Sequence, residues 1–106
     1  MRRKTEQLLL RTGVPADNRG FHFICDAMDM YESNESYIYG KHTDLYRAIA
    51  KKNNTSWSSV ERCIRHIVEV IFSCNDESVM NAIMPSPQKR TVGNFLACLY
   101  LKLRND

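Results

Sequence analysis

Residues 55–72, TSWSSVERCIRHIVEVIF, carry a long amphipathic helical pattern that sets what the rest of the chain must do. At about 100° per residue, Trp57, Val60, Ile64, Ile67, Val68 and Ile71 form one apolar stripe over a helix of about 57–72. Ser58, Glu61, Arg62, Arg65 and Glu69 fall on the opposite side. A stripe of that length has to be covered by other elements, and the remaining sequence supplies helices to cover it.

Residues 4–12 read as a short helix with Leu8 and Leu9 inward, stopped by Gly13 and Pro15. VPADNRG is a turn. Phe21, Ile24, Cys25, Met28 and Tyr31 then recur at helical spacing until ESNES breaks the pattern. A further helix runs from Thr43 or Asp44 to Lys52, with Leu45, Ile49 and Tyr46 as its inward residues, and NNTS ends it. After CND, Asn75 is the expected cap of a short helix carrying Val79, Met80 and Ile83. MPSPQKR is a loop. Thr91 caps a last helix with Val92, Phe95, Leu96, Leu99 and Leu103 inward. Ser36–Tyr39 is a weak strand candidate. The fold class predicted is all-α, with about six helices.

The helix DLYRAIAKK and the long helix after it are joined by a few residues, which is the pattern of a helix-turn-helix over about 43–72. Ala50 is small where two helices would approach. Asn54 falls in the turn, and asparagine is among the few residues that tolerate a left-handed backbone. Ser56 or Ser58 can cap the second helix, and Ser58-x-x-Glu61 has capping-box spacing. The front of a recognition helix meets base edges in the major groove. Arginine donates twice to guanine and glutamate accepts from cytosine, so Glu61, Arg62 and Arg65 are the candidate base-contacting residues. Lys51 and Lys52 end the first helix and are placed for phosphates, with Ser58 and His66 as further backbone contacts. The same face also has a plain reading: it is a solvated surface on which Glu61 and Arg65 form an i, i+4 pair.

Composition bounds the alternatives. A chain of 106 residues, 43% hydrophobic and 25% charged, is expected to be one ordinary domain over 1–106. Net charge of +3 permits a nucleic-acid partner without requiring one. Cysteines 25, 63, 74 and 98 lie in or beside apolar segments without a CxxC pair, which suits reduced, buried thiols in a cytoplasmic protein. No signal peptide and no membrane span of roughly 20 apolar residues is evident. His22-x-x-Cys25 and Cys63-x-x-His66 hold zinc-type donors, but their spacing matches no zinc module, and no metal or cofactor is expected. No Gly-rich phosphate loop, carboxylate pair or nucleophile elbow points to an enzyme.

TGVPADNRGF, IAKKNNTSWSSVERCIRHIVEVIF and the terminal FLACLYLKLR resemble a known family. It is the C-terminal DNA-binding effector domain of the response regulator that starts sporulation in endospore-forming bacteria. The likeness runs from about residue 5 to 104. It implies an all-helical, winged-helix-like effector domain without a clear wing, built on a helix-turn-helix and binding short elements of double-stranded promoter DNA. It also implies contact with the RNA polymerase sigma subunit. The family's base-contacting positions correspond to Glu61, Arg62 and Arg65. Arg47 stands where the family usually has proline, and SCNDESVMNAIMPSPQKR matches poorly and is shorter. No receiver domain lies within these 106 residues, so the expected behaviour is DNA binding without phosphorylation, by a monomer that pairs on adjacent sites. The rival reading is a helical protein-interaction module, or an antagonist of the full-length regulator, that binds no DNA. Trp57, Tyr37, Tyr39, Met28 and Met30 would then form its contact surface.

Overall fold

Apolar residues at helical spacing give each helix a face to bury, and the long helix takes the central place with others packed around its stripe. The computed structural model describes residues 1–105. Among them are seven helices and no strand: α1 (Arg2–Arg11), α2 (Arg19–Ser33), α3 (Ser36–Tyr39), α4 (His42–Lys52), α5 (Trp57–Cys74), α6 (Glu77–Ile83) and α7 (Val92–Asn105). The chain is therefore all-α, as its periodicity predicts. Helix α5 packs mainly on α2 and α4 and also on α7; α1 lies on α2, and α6 on α7.

One continuous core joins the helices. Ile24 and Met28 from α2, Leu45 and Ile49 from α4, Val60, Ile64 and Ile71 from α5, Met80 from α6 and Phe95, Leu96 and Leu99 from α7 are all fully buried. Each such side chain contributes about 1.5–3 kcal/mol of burial. The tightest approach is between α2 and α5. A Cβ built on Gly20 would stand 2.5 Å from the Cys63 carbonyl oxygen and press into Ile67. Only glycine lets these two helices come so close.

Several expectations are corrected. Ser36–Tyr39 is one helical turn, not a strand. Asn34 starts it by accepting from the Ser36 N–H at 3.1 Å, and Tyr37 and Ile38 are half-buried. Helix α2 begins at Arg19, ahead of its first apolar residue, because the Asn18 side chain accepts from the Gly20 N–H at 2.7 Å. Asp76, not Asn75, caps α6, accepting from the Val79 N–H at 3.0 Å. Asn75 instead follows the end of α5, where its amide donates to the Ile71 and Thr12 carbonyls. Trp57 shares the stripe's angle but is 41% exposed, since the first residue of α5 lies beyond the end of the core. Cys25 is buried and its thiol is pushed up to about 12 by burial, whereas Cys63 and Cys98 are half-buried and Cys74 is exposed. No described helix is long and apolar enough to cross a membrane.

Candidate nucleic-acid interface

Helix α4 ends in a hydrogen-bonded stop that aims α5. The Thr55 N–H reaches back to the Ala50 carbonyl at 3.0 Å, and the Asn54 N–H points to the Lys51 carbonyl at 3.5 Å. That pattern places the intervening residue in the left-handed region, and Asn54 is there at φ +54°. Ser56 then opens α5, its hydroxyl accepting from the Ser59 N–H at 3.2 Å. The cap is thus Ser56, one of the two serines expected. Glu61, the reciprocal partner that a Ser58 capping box would require, is turned instead to Arg65. Val60, Ile64, Ile67, Val68 and Ile71 are buried below, and Ser58, Arg62, Arg65, His66 and Glu69 are exposed above.

The two arginines of this face are held differently. Arg65 Nη1 donates to Glu61 Oε1 at 3.0 Å, and its Nε lies 3.9 Å from Glu69 Oε1. Arg62 has no ion pair among the described residues and extends into solvent. Tyr46 of α4 is buried beneath this edge. Its hydroxyl is pushed up first by burial and then by the Glu61 carboxylate, against the pull of Arg65. Helix α4 therefore flanks α5 on the Glu61 side, and α2 flanks it on the Cys63 side, where Gly20 packs.

The two lysines at the end of α4 part company. Lys51 is exposed, with no ion pair among the described residues. Lys52 Nζ lies 3.1 Å from Oδ1 of Asp26, a carboxylate of α2 that is only 4% exposed. Arg2 Nη1 reaches the same oxygen at 2.9 Å and Asp29 at 2.8 Å. The Asn53 amide donates to Asp26 Oδ2 at 2.9 Å. Burial alone would raise the Asp26 carboxyl, but the bonds from Asn53, Arg2 and Lys52 outweigh it and hold it below the usual carboxylate range. Asp26 thus ties α1 and α2 to the turn of the helix-turn-helix. Sequence reasoning passed over it. The available signal was a lone carboxylate inside Phe23–Met28, a run buried without interruption.

Arg19 is a second residue that sequence reasoning passed over. It opens α2, lies exposed with its guanidinium 5.3 Å from the Phe23 ring centroid, and its Nη2 is 3.5 Å from Thr55 Oγ1 in the turn before α5. The zinc-type donors diverge: His22 is exposed, with Nε2 2.7 Å from the Ala16 carbonyl, while Cys25 of the same pair is buried.

This arrangement offers an exposed face bearing one unpaired arginine and a second shared between carboxylates, a free lysine beside it, and a rigid capped turn that fixes their direction. A family model described as the C-terminal domain of sporulation initiation factor Spo0A matches residues 5–103, a span that includes all of these residues.

Proposed function

Since the chain belongs to the Spo0A C-terminal family, whose members are DNA-binding regulatory domains of sporulation, we propose that it recognises a short promoter element through the exposed face of α5. Arg62 and Arg65 read guanines in the major groove, and Glu61 accepts from cytosine while orienting Arg65. Lys51, Ser58 and His66 meet phosphates, and Lys52 adds its charge while it remains tied to Asp26. The observation that carries this reading is the unpaired Arg62 at the centre of an exposed face whose helix is started by a fixed turn. Binding-site selection from a random duplex pool tests it. One enriched element is the expected result, and an unenriched pool would favour a module that binds protein instead of DNA.

The chain is a monomer in solution that pairs only on adjacent sites of one duplex. Two small domains meeting there bury little surface, and the shared duplex supplies the effective concentration. Duplexes with one and two copies of the selected element should therefore differ, with the second copy filling cooperatively. Identical affinity per site, or a stable dimer by light scattering without DNA, would contradict the pairing. The resemblance also supports contact between the α6 segment and the polymerase sigma subunit. Sigma added to the DNA-bound chain should bind it, and charge reversal at Glu77 together with Arg90, which pair at 2.7 Å, tests whether that segment is responsible.

A further inference from the structure

A recognition helix in the major groove lies between two phosphate backbones, one along each flank. On α5 the flanks are occupied by different elements. Helix α4 packs on α5 on the Glu61 side, where the Glu61 carboxylate helps push up the buried Tyr46 hydroxyl. Helix α2 lies on the Cys63 side, where the absent Cβ of Gly20 lets its first turn sit against the Cys63 carbonyl. The helix-turn-helix supplies two lysines to the α4 flank, at the end of α4. Lys51 is free there, and Lys52 is drawn inward by Asp26. On the other flank the first residue of α2 is Arg19.

We infer that Arg19, which lies outside the helix-turn-helix, contacts the DNA phosphate on the flank of α5 opposite α4. Two contacts hold it at the front of the recognition helix. Its guanidinium lies over the Phe23 ring at 5.3 Å, and Nη2 approaches Thr55 Oγ1 at 3.5 Å. The Thr55 contact is long and the ring contact uses the guanidinium face, so the edge donors remain open to a phosphate oxygen. Arg19 makes no ion pair among the described residues that would have to be given up. The close seating of Gly20 fixes its neighbour's position relative to α5, so Arg19 moves as one body with the reading face. The contact is to phosphate and carries no base preference.

This inference rests on the reading of α5 as a DNA-binding helix, and the test separates the two. The full chain and its Arg19→Gln variant are titrated with the selected duplex and with a scrambled duplex between 50 and 200 mM salt. Losing one phosphate contact lowers the slope of log affinity against log salt by about 0.9. Arg19→Gln should therefore be weaker on both duplexes, with a deficit that shrinks about 3.5-fold across that salt range. Arg19→Lys should keep the wild-type slope, because it keeps the charge. A packing role over Phe23 would lower the melting temperature and leave the slope unchanged. Wild-type binding with the same slope in Arg19→Gln overturns the contact and leaves the role of α5 standing. A wild-type chain that binds neither duplex overturns both.

Discussion

Asp26 shows how one side chain can redirect the surface around it. Its buried carboxylate ties down Lys52 at the end of α4 and fixes Asn53 at the start of the turn. A carboxyl depressed by its partners stabilises the fold above its unfolded pKa of about 4. That contribution is lost as pH falls through the lower folded value. Asp26→Asn should therefore cost about 1.5–3 kcal/mol at neutral pH, the range for hydrogen bonds to a charged group. Urea unfolding of both chains at pH 7 and at about pH 3 checks the sign. The gap between wild type and variant should narrow in acid, and a gap independent of pH would show that Asp26 is not ionised in the fold. That Glu61, Arg62 and Arg65 share one side of α5 was legible in the sequence, because a single helix carries them and helix geometry alone puts them there. The Lys52–Asp26 pair was not legible. Its partners are 26 residues apart and meet only because α2 and α4 pack.

Helix α5 was legible nearly to its ends, and the errors about it have one cause. Periodicity gives an angle around the axis but not a position along it. Trp57 therefore has the right angle for the core and the wrong height. The α6 cap moved by one residue because Asn75 and Asp76 are both good caps, and Asn75 was taken up by the end of α5. The closeness of α2 to α5 was likewise invisible, since Gly20 reads in sequence only as part of a turn. Two glycine substitutions separate close approach from open space. Ala for Gly in a helix gains up to about 1 kcal/mol in propensity. At Gly20 the new methyl meets the Cys63 backbone, which cannot move away, so overpacking of about 1–3 kcal/mol should dominate. At Gly93 it meets only the ring of exposed His42, whose stacking on Tyr46 at 6.3 Å is easily given up. Gly93→Ala should stay within about 0.5 kcal/mol of wild type. Thermal and urea unfolding of the two variants decide this, and equal effects at both positions would contradict the packing described.

The seven helices work together as a rigid mount for one face of α5. The core beneath is shared by α2, α4 and α7, the Ala50–Thr55 stop sets the direction of α5, and Asp26 locks α1 to that stop. The all-helical class and the helix-turn-helix were legible because amphipathic period and turn chemistry agree along the chain. Helix α3 was not, because a single turn has too few residues to show a period. A rigid mount makes a sharp prediction about where sequence preference resides. Arg62 is exposed and unpaired, so Arg62→Ala should leave the fold intact and remove only what this side chain does on DNA. The decisive measurement is the affinity of wild type and Arg62→Ala for the selected duplex and for a scrambled one at a single salt concentration. The account predicts a loss of about 1–3 kcal/mol on the selected duplex, with little change on the scrambled one. Equal losses on both duplexes would place Arg62 on phosphate and contradict base reading by this face of α5.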